Sequence, residues 1–502
     1  MLSKVGRNLG VQLLALAVSF LDRFVVVGLL LHHWGAALYS DWVVLLSAAG
    51  LLQLGELGFN IYYGNVWQRA AALGDHHGFS RMLRVALGFA AMQAMLLGGA
   101  ALVFLAVADL PSTLLSADKA RLIFLLLAAF SILAVVRGSL SQLYRGHGRY
   151  ARGMMVTLLG TLALLLATAL VALAGGGPTA LAAAYILCQI VFGIALTVWD
   201  LKRCFPDLRF VPAWPRACEW RDAWRNTRWL ALEQCAPVIW LQVPVLLLGT
   251  AGVGGAALVG FVLLRTLVGF ARQLSTMLSI ALGVELAGRM HAASDTVTQP
   301  IEEAGRLLSV TAGVLGAAVW VFSEPLLAVW TSDHAAYDPT VVVWLVLGSW
   351  AAAPAAPVAK LLAFSNRAKP NAAAWTAQLL VGLGLASLLV QSFGAAGVAA
   401  GLAIGEVLGM GIVLPLLTKQ ALALRTRYWL HCGIALGASA LWCLIVGAAV
   451  VHLIGVADVS QMMIAMLIWS LFGALPAFMI TLPRRLWLGL RLQKVLDQRQ
   501  EA

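Results

Sequence analysis

The chain has 502 residues, of which 61% are hydrophobic and only 11% charged, with a net charge of +12 and a mean hydropathy of +0.89. Soluble domains carry roughly 25% charged residues, so the composition excludes a large soluble enzyme, a disordered chain and a disulfide-rich scaffold. Because a membrane-spanning helix needs roughly 20 apolar residues, we expect an all-α polytopic membrane protein.

Apolar runs along the chain predict about fourteen transmembrane spans. Their predicted bounds are 9–31, 41–63, 83–108, 121–142, 153–174, 179–200, 229–250, 256–284, 307–331, 341–364, 372–391, 395–418, 430–453 and 460–482. The short segments between them do not leave room for a large extramembrane domain.

The positive charges alternate with these spans. Of the 34 Lys and Arg residues, 27 fall in every second connecting segment, whereas the segments of the opposite side hold only Lys119 and Arg121. This asymmetry is typical of the positive-inside rule. It predicts an inner-membrane protein with both termini in the cytoplasm.

The long basic segment 201–228 follows the sixth span and predicts a division of the chain. We expect an N-terminal lobe at 1–200, a C-terminal lobe at 229–418 and two additional helices at 419–482. Two six-helix lobes around a central cavity suit a transporter. Residues 483–502 alternate basic and apolar side chains, which indicates an amphipathic cytoplasmic tail.

Ionisable side chains deep inside spans are costly and are therefore candidates for function. The deep set comprises Asp22, Arg23, Glu56, Arg265, Arg272 and Glu406. Arg265 and Arg272 are seven residues apart and share one helix face. Two interpretations stay open: arginines that bind an anion in a water-filled cavity, and internal salt bridges that hold helices together.

The carboxylates of this set, together with Asn60, are candidates for ion coupling or gating. Gln53, Glu56 and Asn60 share one face if the second span is a regular helix. A coupling ion would be H⁺ or Na⁺; we expect no other cofactor and no metal site, since no cysteine or histidine pair has ligand spacing. Arg137 lies near a cytoplasmic helix end, where we expect it to reach the interface.

Small residues and prolines predict features of packing. Gly397, Gly401, Gly405 and Gly409 recur every four residues, which indicates a face for close helix packing. Pro237 and Pro244 in one span, and a Pro354–Pro357 pair in another, predict kinks.

Four segments, taken in order, resemble motifs of a known family. They are LLQLGELGFNIYYGNVWQRAAALGD (51–75), LLRTLVGFARQLSTMLSIALGVELAGRM (263–290), LLAVWTSDHAAYD (326–338) and LLAFSNRAKPNAAA (361–374). Together they resemble the polysaccharide (O-antigen and exopolysaccharide) flippases of the multidrug/oligosaccharidyl-lipid/polysaccharide exporter superfamily.

The resemblance implies fourteen helices and transfer of a polyprenyl-pyrophosphate-linked oligosaccharide across the inner membrane by alternating access. It also implies that arginines of the first and eighth helices line the cavity, which by position are Arg23, Arg265 and Arg272. Gln53 stands where the family often has an acidic residue. Polysaccharide polymerase and export machinery are the implied partners, besides membrane lipids; nucleic acid is not expected.

Three alternatives to this flippase remain. An ion-coupled multidrug or small-molecule antiporter would share the fold, and so would a flippase of the peptidoglycan lipid precursor. A membrane glycosyltransferase, polymerase or ligase is disfavoured, because such enzymes usually need a large external loop and the external loops here are short. We therefore expect a transporter and not an enzyme.

Overall fold

The computed structural model consists of helices joined by short non-helical connections in the residues that it describes. These are residues 14, 17–72, 76–107, 110, 112–146, 149–206, 208, 210–290, 298–332, 334–364, 368–421, 426–456 and 458–481. The expected amphipathic tail at 483–502 lies outside them. No strand occurs in these ranges, as expected of a chain that must satisfy its backbone hydrogen bonds inside a bilayer.

Seventeen α-helices follow one another along the described chain. In the first half they are α1 (Val27–Gly50), α2 (Phe59–Ala72), α3 (His76–Val107), α4 (Ala117–Gly146), α5 (Tyr150–Leu173), α6 (Pro178–Cys188), α7 (Leu196–Cys204) and α8 (Ala217–Thr250). In the second half they are α9 (Gly255–Met290), α10 (Thr298–Thr331), α11 (Pro339–Ala352), α12 (Ala356–Phe364), α13 (Ala368–Glu406), α14 (Leu414–Ala421), α15 (Thr426–Ile454), α16 (Val459–Trp469) and α17 (Leu475–Thr481).

Twelve helical segments of the described chain are long and apolar enough to cross a membrane. Two of them are unusually long, at 40 residues for Ala17–Glu56 and 51 residues for Ala368–Thr418. A straight helix of the second length would measure ~77 Å, far more than the ~30 Å of a hydrocarbon core. Both break at a glycine with positive φ, Gly35 (φ 71°) and Gly394 (φ 55°). Each therefore provides two crossings, and the chain is a multi-pass membrane protein with the fourteen predicted spans.

The break at Gly394 folds α13 back on itself. A Cβ added at Gly401 would lie 2.4 Å from the backbone N of Ala386, and one at Gly409 would lie 2.6 Å from the carbonyl oxygen of Ala374. The later glycine, Gly409, thus faces the earlier residue, Ala374, so the segments before and after Gly394 pack antiparallel. The predicted glycine face is confirmed as a surface of close backbone approach.

The second predicted span is not a regular helix. It runs as a 3₁₀ segment over Leu51–Glu56 and then breaks at Leu57 (φ 46°) and Gly58 (φ 71°), before α2 begins. The regular helix assumed for Gln53, Glu56 and Asn60 is therefore interrupted between Glu56 and Asn60, although the side chains of these two residues still interact. Gly58 also permits close packing, since an added Cβ would lie 3.0 Å from the backbone N of Ala231 in α8.

Short non-α segments interrupt several other helices. Four π-helical segments occur among the described residues, at Asp22–Val26, Gln189–Ala195, Val407–Val413 and Ser470–Ala474. Such widened turns leave backbone groups unpaired and often mark functional positions. Pro354 lies in a 3₁₀ turn, Ala353–Ala355, between α11 and α12, as its ring predicts. Pro237 and Pro244 lie within a continuous α8.

The chain forms two compact units, here called unit 1 (Met1–Val259) and unit 2 (Gly260–Ala502). The core of unit 1 includes Phe59, Trp67 and Phe89. Unit 2 has one core cluster around Val358 and Tyr428 and another around Phe322 and Trp469. Because α8 packs on α1 and α2, it belongs to unit 1. The predicted lobes, which separate at 201–228, stay a prediction.

Candidate functional site

Unit 2 holds three of the predicted site residues close together. Arg272 of α9 forms an ion pair with Glu406, the last residue of α13, with 2.5 Å between Nη1 and Oε1. The Glu406 side chain is 5% exposed and that of Arg272 is 37% exposed. Arg265, two turns earlier on α9, interacts electrostatically with both. These three residues are called the unit 2 cluster below.

Local packing explains why the Glu406 carboxylate reaches this position. Gly348 of α11 faces it, and a Cβ added there would lie 2.7 Å from Glu406 Oε2 and 3.0 Å from Ala403 Cα. The π-helical segment Val407–Val413 begins at the next residue. The lack of a side chain on α11 therefore provides the space that the buried carboxylate occupies.

The charges of the unit 2 cluster do not balance. Two guanidinium groups share one carboxylate, so the three residues carry a net charge of +1 in their ionised forms. Guanidinium groups in a water-poor site bind phosphate or carboxylate oxygens through paired, charge-assisted hydrogen bonds. The cluster thus combines an internal salt bridge with capacity for an anion.

A small pocket lies beside Arg272. It has a volume of about 70 Å³ and is lined by residues of α9, α10 and α11, including Ala271, Gly316 and Ser349. The indole of Trp350 borders α10 here and donates a hydrogen bond to the Ala312 carbonyl oxygen, at 3.0 Å. This volume holds a few water molecules or one small group; it does not enclose an oligosaccharide.

In unit 1, Asp22 and Arg23 belong to the π-helical segment Asp22–Val26 and are both half-buried. The Asp22 carboxyl lies within electrostatic range of the hydroxyls of Tyr39, which is buried, and Tyr185, which is half-buried. Arg23 forms no ion pair with the described residues other than its electrostatic interaction with its neighbour Asp22. A carboxyl group within electrostatic range of hydroxyl groups in a water-poor site can take up a proton.

Glu56 and Asn60 stand on opposite sides of the break at Leu57–Gly58, yet remain close enough to interact. Asn60 is buried, and its Oδ1 accepts a hydrogen bond from the Ser139 hydroxyl of α4. A Cβ added at Gly138 would lie 2.6 Å from Asn60 Nδ2. Asn60 therefore joins α2 to α4, and its predicted part in gating stays a prediction.

Arg137 does not behave as the sequence predicts. It lines a pocket of about 70 Å³ inside unit 1, together with Thr161, Cys188 and Gln189. Its guanidinium approaches α5 at Gly160, where an added Cβ would lie 3.6 Å from Nη1. Gln189 begins the π-helical segment Gln189–Ala195 and is 4% exposed, with its Nε2 unpaired. The Arg137 side chain thus points between α4, α5 and α6 and not toward the interface.

A polar network that sequence analysis missed joins three helices of unit 1. Asp200 of α7 accepts hydrogen bonds from the Tyr144 hydroxyl of α4 and from the Arg152 guanidinium of α5, both at 2.7 Å. Asp200 is 5% exposed. Its position in the last turns of an apolar run was the available signal, since a buried carboxylate requires a partner.

No group of three or more His, Cys, Asp or Glu residues in the described part of the chain is placed to hold a metal ion. The described cysteines are all free thiols; Cys432 and Cys443 of α15 are buried.

No protein-family model matches the chain, and no curated protein matches it in sequence. Solved structures do match its fold. An inward-facing multidrug resistance MATE family transporter of the MOP superfamily aligns with a TM-score of 0.62 and 15% identity over 80% of this chain and 95% of that one. The lipid II flippase MurJ, in an inward closed conformation, aligns with a TM-score of 0.60 and 11% identity over 91% and 97%.

A point mutant of the MATE transporter VcmN of Vibrio cholerae aligns with a TM-score of 0.56 and 16% identity over 84% and 96%. At these identities the likeness shows the fold alone. The predicted all-α polytopic fold is thus confirmed, and the solved transporter structures share it.

Proposed function

We propose that this protein is a flippase that moves a polyprenyl-pyrophosphate-linked oligosaccharide repeat unit across the inner membrane by alternating access, for the synthesis of exopolysaccharide, capsule or O-antigen. The observation that carries the proposal is the unit 2 cluster, in which two arginines inside an apolar helix share one carboxylate. A pyrophosphate is the part of such a lipid that paired guanidinium groups bind best.

Two further observations support the proposal. The fold is that of transporters that include a lipid II flippase, although a shared fold does not by itself assign a substrate. The segments 263–290 and 361–374 resemble motifs of polysaccharide flippases. In this interpretation Arg265 and Arg272 contact the pyrophosphate, Glu406 holds Arg272 in place, and Arg23 is a third cavity arginine.

The Asp22 site suggests how transport is driven. Its carboxyl, which lies within electrostatic range of two tyrosine hydroxyls, would take up a proton or Na⁺, and Glu56 and Glu406 are further candidates for coupling. We expect transport to depend on a proton or sodium gradient and to be lost in Asp22→Asn, with Asp118→Asn as a control at an exposed carboxylate outside the proposed coupling set. Normal transport in Asp22→Asn would remove the coupling proposal and leave the flippase proposal intact.

The test of function is a deletion strain. Membrane lipids are extracted, the polyprenyl-pyrophosphate-linked oligosaccharide is quantified by mass spectrometry, and surface polysaccharide is stained. We expect the complete repeat unit to accumulate on its carrier and surface polymer to be lost. The wild-type gene on a plasmid should restore surface polymer and remove the accumulated lipid. The control variant Lys369→Gln, which removes an exposed cation of unit 2, should do the same. Arg265→Gln and Arg272→Gln should reach the membrane but fail to restore surface polymer.

Each alternative function predicts a different result. The likeness to MATE transporters favours a small-molecule antiporter as the second candidate. It predicts normal polymer, no accumulated lipid-linked oligosaccharide and reduced efflux of cationic dyes in the deletion strain. A flippase of the peptidoglycan lipid precursor predicts instead that this precursor accumulates and that cells lyse.

A further inference from the structure

Unit 1 contains a second cationic site, at the end of the unit that carries the basic linker. We call it the linker pocket; it is lined by Arg81 and Arg84 of α3, Ala213 and Trp214 of the linker, and Arg216 and Glu219 at the start of α8. Its volume of about 440 Å³ exceeds that of the pockets beside Arg272 and Arg137, which are about 70 Å³ each. None of the residues that line the linker pocket belongs to the deep charged set on which the proposed function depends.

The walls of the linker pocket are held in place by backbone contacts. The amide of Ala213 donates a hydrogen bond to the Arg84 carbonyl oxygen, at 2.8 Å. Gly88 permits this contact, because an added Cβ would lie 1.9 Å from the Ala213 carbonyl oxygen. The Arg216 amide donates to Glu219 Oε2, also at 2.8 Å. The linker therefore lies against α3 in one arrangement, and the pocket is formed before any ligand arrives.

The charge of the linker pocket is positive. Glu219, its one acidic lining residue, is 3.3 Å from Arg81 Nη2. Arg84 and Arg216 form no ion pair with a described residue, so the lining carries a net charge of +2. Two unpaired guanidinium groups and a third held by a carboxylate are the donors expected of a site for phosphate oxygens.

The surroundings place the linker pocket at the level of lipid headgroups. Arg81 and Arg84 lie at the start of the apolar segment Ser80–Val107, where the chain enters the membrane. Four exposed tryptophans mark the same end of unit 1, namely Trp199, Trp214, Trp224 and Trp229, with exposures of 56%, 70%, 50% and 40%. Exposed tryptophans concentrate at the membrane–water interface. Trp214 borders the pocket itself.

We infer that the linker pocket binds the phosphate-bearing headgroup of a membrane lipid. Basic pockets between helices on the cytoplasmic side bind anionic headgroups in this way. The lipid is an anionic phospholipid or the pyrophosphate-linked carrier; both present the same phosphate oxygens at this depth. The inference goes beyond the proposed transport function and does not require it.

The test is lipid retention by the full-length protein in native mass spectrometry. The wild type, the double variant Arg84→Gln/Arg216→Gln and a control double variant Arg203→Gln/Arg221→Gln are purified with phosphatidylglycerol at graded concentrations. Arg203 and Arg221 are exposed and at the same end of unit 1, but do not line the pocket. We expect the pocket variant to bind phosphatidylglycerol roughly tenfold or more weakly, and the control to match the wild type. Equal retention in all three proteins, or an equal loss in both variants, would overturn the inference.

Competition then identifies the source of the phosphate. Undecaprenyl pyrophosphate, phosphatidylglycerol and inorganic pyrophosphate are added in turn to the wild type. Preferential retention of undecaprenyl pyrophosphate assigns the pocket to the carrier lipid, and equal retention of the two lipids assigns it to anionic phospholipid. Displacement by inorganic pyrophosphate as effective as that by either lipid contradicts a lipid site. A deletion strain with normal polymer would refute the proposed function and leave these binding results unchanged.

Discussion

Arginines inside the membrane have different surroundings in the two units. In unit 2, Arg272 meets the buried carboxylate of Glu406, and Arg265 shares the same partner. In unit 1, Arg137 lines a pocket whose described lining includes no acidic residue; its other polar lining side chains are those of Thr161, Cys188 and Gln189. The first cation is compensated by a carboxylate, whereas the second lies beside neutral groups only in its described pocket.

Whether a buried arginine has a carboxylate partner determines how its removal, or the removal of its partner, affects stability. A charge removed from water must be paired or hydrogen-bonded, and removing one partner of a buried pair exposes the whole desolvation cost of the other. The unit 2 cluster is therefore sensitive to loss of its carboxylate. The Arg137 pocket has no such dependence, and its guanidinium is a cost to folding that the unit tolerates. Four substitutions test this contrast.

Glu406→Gln should have the largest effect. It leaves two guanidinium groups without their shared carboxylate, which we expect to lower the free energy of unfolding by about 3 kcal/mol. Thermal unfolding in detergent can be followed by dye labelling of the buried thiols of Cys432 and Cys443 in unit 2. Arg272→Gln/Glu406→Gln, which removes both charges, should recover part of the loss. A double variant no more stable than Glu406→Gln would contradict the pairing.

Gly348→Ala should disturb the same pair through its geometry. The new methyl group would lie 2.7 Å from Glu406 Oε2 and 3.0 Å from Ala403 Cα, so the carboxylate or the backbone must move. We expect a loss of roughly 2 kcal/mol, as for overpacked cores. Gly384→Ala is the matched control, because nothing lies within 4 Å of its added Cβ. Equal melting temperatures of the two variants would mean that α11 does not constrain Glu406.

Asp200→Asn should show that unit 1 also depends on charge where a carboxylate is present. The amide cannot accept both guanidinium hydrogen bonds from Arg152 and the hydroxyl of Tyr144 as a carboxylate does. We expect a loss of about 1–2 kcal/mol, since Arg152 is 47% exposed and water partly replaces its partner. Tyr144→Phe should cost less. The melting temperatures of the two variants measure these losses. A larger loss in Tyr144→Phe than in Asp200→Asn would mean that the ion pair with Arg152 is not the main stabilising contact of Asp200.

Arg137→Gln should have the smallest effect, and one of opposite sign. Removing a cation that no carboxylate of its described pocket compensates should raise the free energy of unfolding by up to ~1 kcal/mol. Labelling of Cys188, which lines the same pocket, should become slower as local opening decreases. A melting temperature several degrees below that of the wild type would mean that Arg137 has a stabilising partner, and would end the contrast between the units.

The helices could be predicted from sequence because lipid imposes a uniform requirement. Each apolar run near the length of one crossing became a helix, and the glycine repeat from Gly397 to Gly409 identified its own packing face. The break after Glu56 could not be read from an apolar run, although Gly55 and Gly58 in LGELG were a local signal. Glycine permits such breaks without prescribing them.

The charge partners could not be predicted. Arg272 and Glu406 are 134 residues apart, and periodicity indicates which residues share a face of one helix but not which helix lies opposite. Arg137 was misread for a related reason. Its distance from the helix end is compatible with an interfacial side chain, and only the packing of α4 against α5 and α6 shows that it points inward. The roles of Arg23, Arg265 and Arg272 in binding substrate stay predictions.

The turn at Gly394 has a consequence for how this chain enters the bilayer during its synthesis. No loop separates the two crossings on either side of it, so the first cannot be released into lipid long before the second follows. Gln378 of the first crossing is 1% exposed, and an added Cβ at Gly409 of the second would lie 2.6 Å from its Cβ. A lone first crossing would present this amide to hydrocarbon. We therefore expect the two crossings to leave the insertion machinery as one hairpin, in which packing against Gly409 already covers the Gln378 side chain.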